Sequence, residues 1–256
     1  QLPASGDLGY QRRILGSTYV KDDDYDVALK KAAPDCGGIR EVVGRLGLNN
    51  NLWPAAPWPL ADDLHPTAWI VARSRDVVKD VPSDRPLFLT TSFYAPHPPL
   101  FPPRTYFDAY LPAGGGPASV PAGARTNVRA AHDAPDLPDP TRGDWVDWAA
   151  LSPAGDKNGH RIRLEGDTLR RAQAGYFGLI EHLDAEIGPL VAEFKSRSEK
   201  AGRPWVVVVT SDHGEMLGDH GYFRKCEPYE GSANIPFIIA GSPSLGFKAG
   251  TRCVQP

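Results

Sequence analysis

An uninterrupted apolar run, WVVVV at residues 205–209, constrains the fold of this chain more than any other feature. A strand with one solvated face alternates apolar and polar residues, whereas a strand that helices cover on both faces is apolar throughout. Strands of the second kind belong to parallel sheets. The run therefore predicts a β-strand over residues 204–210 in the interior of an α/β domain.

Helical patterns precede this strand. Between residues 168 and 195 the apolar residues recur every three or four positions, which predicts a long amphipathic helix. We expect Asp167 to cap this helix and Pro189 to bend it. Shorter patterns of the same kind predict helices over residues 41–48 and 67–81.

Two further strands complete the expected sheet. The segment LFLTTSF at residues 87–93 ends before the turn-forming PHPP of residues 96–99, and a second apolar run covers residues 235–240. This order of elements predicts a doubly wound α/β domain, in which helices cover both faces of the sheet. Ligands bind such sheets at the carboxyl ends of the strands, where His97 and Asp212 are expected.

The length of the chain suits one domain. A chain of 256 residues buries about 70 to 75% of its unfolded surface, so we predict a single domain over residues 1–256. Residues 111–166 contain GGG and many prolines without periodicity, which indicates a long surface insertion. The only methionine is Met216. Because a start methionine is lacking, we expect a partial domain, an internal piece of a longer protein.

Charge and apolar patterning narrow the expected partners. Lys and Arg total 28 and Asp and Glu total 31, for a net charge of -3, so nucleic acid is not an expected partner. The apolar stretches are far shorter than the ~20 residues of a membrane helix. The 3 cysteines are odd in number and lack metal-binding spacing. The compartment stays open, and a periplasmic or secreted protein without its signal peptide fits the sequence.

The polar segment TSDHGEMLGDHG at residues 210–221 follows the predicted strand. Neighbouring side chains of a strand point to opposite faces, so Asp212 and His213 share an ion only if the strand has ended; Gly214 permits such a turn. A carboxylate beside an imidazole is half of a metal site. Polar residues after strands also cap helices and bind loop amides, so both interpretations stay open. Glu215 and His220 receive no role from the pattern.

The segment VVVVTSDHGEMLGDHGYFRKCEPYEGSANIPFIIAG at residues 206–241 resembles the C-terminal signature of the sulfatases, in the alkaline-phosphatase-like superfamily. SFYAPHPPL at residues 92–100 and HPTAW at residues 65–69 resemble further segments of that family in the same order. SDHG alone also occurs in related phosphodiesterases and phosphoryl transferases. Its combination with Lys225, PYEGS and PHPP favours sulfatases. The resemblance implies an alkaline-phosphatase-like α/β fold, with a mixed, largely parallel sheet flanked by helices on both faces.

The resemblance implies a site of four residues. Asp212 and His213 match metal ligands, and His97 and Lys225 match catalytic groups that contact the sulfate. Such groups suit the reaction, because charge that develops on the bridging oxygen is stabilised by a cation and by preorganised donors. The family implies Ca²⁺ as the metal. His213 stands where the family usually has Asn, and an imidazole also suits Mn²⁺ or Zn²⁺.

The nucleophile of the family has no match in this chain. Sulfatases use a formylglycine made from Cys or Ser in C/S-x-P-x-R, whereas CEPYE at residues 226–230 ends in Glu230. Cys36 and Cys253 do not match either, and the acidic pair at 62–63 follows no strand, so we expect it to be solvated. The resemblance therefore places the formylglycine in a segment N-terminal to this chain and predicts that these residues alone are inactive.

Three functions remain open at the level of sequence. The first is a metal-dependent sulfuric ester hydrolase (a sulfatase) that acts on a small-molecule or carbohydrate sulfate ester. The second is a phosphodiester or phosphonate monoester hydrolase of the same superfamily, which would use the same metal pair with a different nucleophile. The third is a catalytically inactive anion-binding module. The oligomeric state is not predicted.

Overall fold

The computed structural model describes residues 9–111, 166–219, 222–226 and 228–251. In these ranges the helices are α1 (Asp24–Ala32), α2 (Ile39–Arg45), α3 (Pro66–Asp80), α4 (Arg104–Tyr110), α5 (Gly166–Lys200) and α6 (Glu230–Ala233). Short 3-10 turns lie at Pro34–Cys36, Asp62–Leu64 and Pro243–Leu245. The strands are β1 (Val206–Thr210) and β2 (Phe237–Gly241). Nearly all of the predicted insertion at residues 111–166 lies outside the described residues.

The three helices predicted from apolar periodicity are confirmed as α2, α3 and α5. Helix α5 is longer than predicted, and Asp167 lies in its first turn instead of preceding it, while Pro189 is inside the helix. Helix α5 packs against α3 and α4. Its inward residues form one core cluster with α4 and the preceding loop, and this cluster includes Ala172, Leu179, Leu100, Phe107 and Tyr110. No helix of the described ranges is long and apolar enough to cross a membrane.

The sheet differs from the prediction. Strand β1 pairs with β2 in an antiparallel register in which Val208 faces Ile239, and the extensive, largely parallel sheet is not found among the described residues. An apolar run reports that both faces of a strand can be buried, but it does not determine the direction of the neighbouring strand. Both strands are largely exposed here, with 51% of Val208 and 67% of Phe237 accessible to solvent.

The third predicted strand, residues 87–93, has no assigned secondary structure. Its side chains alternate in burial as strand residues do. Leu87, Leu89 and Phe93 pack against α3 and α5, whereas Phe88 is 81% exposed. The segment therefore has the burial pattern of a strand without a neighbouring strand among the described residues, and it leads into the loop that contains His97.

The acidic run of residues 22–24 stabilises local structure. The side chain of Asp23 caps α1 by accepting a hydrogen bond from the amide of Asp26. The buried carboxylate of Asp26 accepts the amide of Ile39 at 2.8 Å and lies 2.6 Å from the ammonium of Lys30. The cap made by Asp23 gives the run a structural role, and the contact of Asp26 with Ile39 joins α1 to the start of α2.

Candidate functional site

His97 is held in a turn shortly after residues 87–93. Its amide donates to the carbonyl of Tyr94 at 3.0 Å, and its ring packs against the ring of Tyr94 with centroids 4.7 Å apart. Nδ1 lies 2.8 Å from the carbonyl oxygen of Pro98, which can only accept, so Nδ1 has the proton and Nε2 has the free lone pair. The tautomer and the ring orientation are thereby determined by the local backbone.

The pKa of the His97 imidazole is lowered, first by burial and then by electrostatic interaction with Lys225, Arg224 and His213. A hydrogen bond to Pro98 acts in the opposite direction. The neutral imidazole is therefore favoured near pH 7 in the absence of an anion. His97 thus lies within electrostatic range of three residues that are more than 100 positions away in the sequence.

Asp212 and His213 lie in the loop that follows β1. The strand ends at Thr210, which meets the condition under which these two neighbours can share an ion. Nε2 of His213 is 3.5 Å from Oδ2 of Asp212, and Nδ1 of His213 is bonded to the carbonyl of Gly214 at 2.7 Å. Because Nδ1 donates to that carbonyl, Nε2 has its lone pair available on the side of the carboxylate.

Gly214 brings this loop against helix α6. Its amide donates to the carbonyl of Ser232 at 2.8 Å. A Cβ atom at this position would lie 3.0 Å from the carbonyl oxygen of Asn234 and closer still to that of Gly231. The backbone of Gly214 is not in the left-handed region. The glycine is therefore required by a close approach of two backbones, and not by the turn conformation that the sequence suggested.

Lys225 comes from a third segment, residues 222–226, which is anchored by the buried rings of Tyr222 and Phe223. The pKa of the Lys225 ammonium is lowered by burial and by Arg224, while Glu215 and Asp212 raise it. Lys225 is therefore close to the loop of Asp212. The four residues singled out from the sequence, His97, Asp212, His213 and Lys225, are thus brought into one region of the structure.

The candidate metal ligands Asp212 and His213 form a pair among the described residues. Among the described residues there is no group of three or more His, Cys, Asp or Glu side chains arranged to hold a metal ion. The exposed carboxylate of Asp212 and Nε2 of His213 fit one side of a divalent cation, since carboxylate oxygen and imidazole nitrogen are both common ligands. Asp62 and Asp63 are exposed in a turn before α3, as expected of solvated carboxylates.

Several residues near the site were not predicted. Glu215 is partly buried and accepts two backbone amides, while Arg224 is buried beside Lys225. The ring of Tyr19 packs on that of Tyr94 at 5.6 Å, so an aromatic row extends from His97. Tyr94 lies inside the segment SFYAPHPPL, which was a usable signal. The long-range contacts of Glu215 and Tyr19 left no trace in periodicity or spacing.

The histidine of HPTAW lies elsewhere, in the core between α3 and α5. His65 caps α3 by accepting the amide of Thr67 through Nδ1 at 3.1 Å. Its ring contacts that of His182 with centroids 4.7 Å apart, and both side chains are buried. Burial lowers the pKa of His182 to about 4. This pair therefore belongs to the packing of the two helices and not to the candidate site.

Comparisons with known proteins agree with the motifs. The family model described as Sulfatase matches residues 7–246. An arylsulfatase of Clostridium perfringens (strain 13 / Type A) is 36% identical over 235 residues, which are 91% of this chain and 44% of that protein. A choline-sulfatase of Rhizobium meliloti (strain 1021) is 29% identical over 171 residues, 63% of this chain and 28% of that protein.

Among solved structures, the phosphonate monoester hydrolase of Agrobacterium radiobacter superposes with a TM-score of 0.55 and 22% identity, over 84% of this chain and 40% of that one. At this identity the likeness shows the fold alone, and it supports the alkaline-phosphatase-like fold. The chain spans less than half of the length of each of these relatives. Because the family model covers nearly the whole sequence, the chain belongs to the sulfatase family.

Proposed function

We propose that this chain forms part of the catalytic domain of a metal-dependent sulfuric ester hydrolase that cleaves a small-molecule or carbohydrate sulfate monoester. The observation that supports it most directly is the proximity of His97 and Lys225 to the Asp212–His213 pair. A sulfate monoester is an anion with several oxygen acceptors. A region that combines a cationic side chain, an imidazole and a potential metal pair suits such an anion.

Each residue has a proposed task that follows from its surroundings. A divalent cation held by Asp212 and His213, with further ligands from outside the described residues, would supply a Lewis acid for the ester oxygens. Lys225 is a compact cation whose ammonium can donate three hydrogen bonds. It would bind the ester and stabilise the charge that grows on the bridging oxygen.

His97 is proposed to act on the leaving group. Its Nδ1 is already bonded to Pro98, so Nε2 is the nitrogen that can exchange a proton with a ligand. A bound anion raises the pKa of a nearby imidazole, because it favours the charged form. The protonated Nε2 would then donate to the leaving oxygen, and the nucleophile, expected to be a formylglycine, is proposed to lie outside this chain.

Hydrolysis of a phosphonate monoester or phosphodiester is the second candidate. These esters are also tetrahedral anions, and the contacts available from His97, Lys225 and the Asp212–His213 pair do not depend on whether the central atom is sulfur or phosphorus. His213 favours neither element. Ca²⁺ is the proposed metal by family resemblance, and Mn²⁺ or Zn²⁺ also suits a pair that includes an imidazole.

The test compares kcat/KM of the full-length natural protein for an aryl sulfate and for an aryl phosphonate monoester with the same leaving group. The proposal predicts the larger value for the sulfate. A larger value for the phosphonate would establish the second candidate, and tight sulfate binding without turnover of either ester would establish an inactive anion-binding module. Activity lost on chelation should return with the native metal, which Ca²⁺, Mn²⁺ and Zn²⁺ additions would identify.

Two variants test the assigned residues in that assay. Lys225→Ala should lower kcat/KM by ~10²- to 10³-fold, the usual effect of removing one transition-state donor. Lys248→Ala is the matched control, because Lys248 is exposed near the end of the described residues. If both variants keep activity and the activities are equal, the role of Lys225 is contradicted, whereas a full loss in both would indicate a general folding defect.

A further inference from the structure

Glu215 links the two loops of the candidate site. Its Oε1 accepts a hydrogen bond from the amide of Leu217 at 3.1 Å and another from the amide of Arg224. Glu215 follows the Asp212–His213 pair by two positions, and Arg224 directly precedes Lys225. One carboxylate oxygen therefore joins the loop that contains the potential metal ligands to the segment that contains the potential sulfate-binding lysine.

The two residues whose amides Glu215 binds have an unusual backbone. Leu217 has φ of 49° and Arg224 has φ of 74°, so both lie in the left-handed region that residues other than glycine rarely adopt. Such conformations persist where surrounding contacts over-determine them, and they cluster at functional sites. The Glu215 carboxylate supplies one of these contacts at each of the two positions.

Backbone hydrogen bonds join the described segments 216–218 and 222–224. The carbonyl of Arg224 accepts the amide of Met216 at 2.7 Å, and the carbonyl of Tyr222 accepts the amide of Gly218 at 2.8 Å. Both backbone polar groups of Arg224 are therefore bonded to the segment that begins at Glu215. Loss of the Glu215 carboxylate would leave the amide of the buried residue Arg224 without this acceptor. One of the contacts that hold Arg224 in its left-handed conformation would then be lost.

We propose that Glu215 is a positioning residue for Lys225: through the amide of Arg224 it holds the lysine in place relative to the Asp212–His213 pair. This inference rests on the proposed function for the role of Lys225. Glu215 acts through the backbone and not by touching the ester. A neutral acceptor of the same shape can replace it for this purpose, whereas a methyl group cannot.

The experiment uses the full-length natural protein with Glu215→Ala and Glu215→Gln, each made with Lys225 present and with Lys225→Ala. With Lys225 present, Glu215→Ala should lower kcat/KM by about 100-fold, the effect of a displacement of about 1 Å. Glu215→Gln should stay within about threefold, because its carbonyl oxygen still accepts both amides. In the Lys225→Ala background, Glu215→Ala should have little further effect, since the two changes act on one interaction.

A second measurement does not need activity. Hydrogen exchange at the amides of Leu217 and Arg224 should be faster in Glu215→Ala than in the natural protein and unchanged in Glu215→Gln. Glu41→Ala is the control, because it removes an exposed carboxylate on α2 that accepts a hydrogen bond from Arg45. Its exchange at Leu217 and Arg224 should be unchanged.

The outcomes separate this inference from the function on which it rests. Unchanged exchange in Glu215→Ala, or an equal loss of activity with and without Lys225, would overturn the positioning role. If the natural protein hydrolyses neither ester while Glu215→Ala accelerates exchange, the hydrolase assignment fails and the structural link between Glu215 and Arg224 stands. If Lys225→Ala keeps full activity, Lys225 has no role in catalysis, and the positioning role of Glu215 is overturned with it. Hydrolysis by the natural protein would still be established.

Discussion

A methyl group at position 214 tests how closely the candidate site depends on the packing of helix α6. In Gly214→Ala the new Cβ would lie 3.0 Å from the carbonyl oxygen of Asn234 and closer to that of Gly231. Both obstacles are backbone atoms, which cannot turn away as a flexible side chain can. Carbon–oxygen contacts are ordinarily about 3.3 to 3.6 Å, so the loop and the helix must separate by about 1 Å.

This displacement sets the expected size of the effect. A shift of about 1 Å at catalytic groups lowers activity by about 100-fold, or about 2.7 kcal/mol of transition-state stabilisation. Overpacking of this kind also lowers the free energy of unfolding by about 1 to 3 kcal/mol. The hydrogen bond from the Gly214 amide to Ser232, now 2.8 Å long, would lengthen as well. Gly214→Ala should therefore reduce both kcat/KM for an aryl sulfate and the thermal midpoint of the full-length natural protein.

Gly44→Ala is the control for this prediction. Gly44 is exposed in α2, and a Cβ there meets no atom within 4 Å beyond its chain neighbours and the backbone of its own helix. Alanine is a better helix former than glycine, so this change should raise the free energy of unfolding by about 0.5 to 1 kcal/mol and leave kcat/KM unchanged. If Gly214→Ala keeps full activity and the natural thermal midpoint, the close approach does not constrain the site and the argument is wrong.

Three further predictions concern stability and the surface of the chain. Burial lowers the pKa of His182 in the folded chain to about 4, from an ordinary value near 6.5. As the pH falls, the unfolded state therefore binds the proton first. The contribution of about 3 kcal/mol to the free energy of unfolding, fully present above pH 6.5, should be lost by about pH 4. Urea midpoints across this range should show a steeper fall for the natural chain than for His182→Gln. Asp26→Asn should lower the free energy of unfolding by about 1 to 3 kcal/mol, because the buried carboxylate binds the amide of Ile39 and the ammonium of Lys30. Equal urea midpoints for the variant and the natural chain would refute this. The 256-residue chain alone should bind the dye ANS and aggregate through the exposed apolar faces of β1 and β2. Val208→Thr should reduce the fluorescence of bound ANS. Undiminished ANS fluorescence in this variant would place the dye-binding apolar surface elsewhere.

Much of the helical structure follows from local sequence. The spacing of apolar residues correctly predicts α2, α3 and α5, because that period reports directly which side of a helix is buried. The end of β1 before Asp212 was also predictable, since the apolar run stops at Thr210. The antiparallel partner of β1 was not, because the same apolar pattern suits neighbours of either direction. Residues 87–93 keep the alternation of a strand without pairing among the described residues.

Some features of the candidate site are likewise predictable from the sequence, and others depend on the tertiary structure. The sequence by itself determined helices α2, α3 and α5, the loop after β1 and the family to which the chain belongs, since these depend on residue types at short separations. Only the tertiary structure decided that His97 lies near Lys225, that Gly214 is needed for its contact with α6, and that Glu215 binds the amide of Arg224. These features depend on contacts between distant segments and on strained backbone conformations, which residue spacing does not encode.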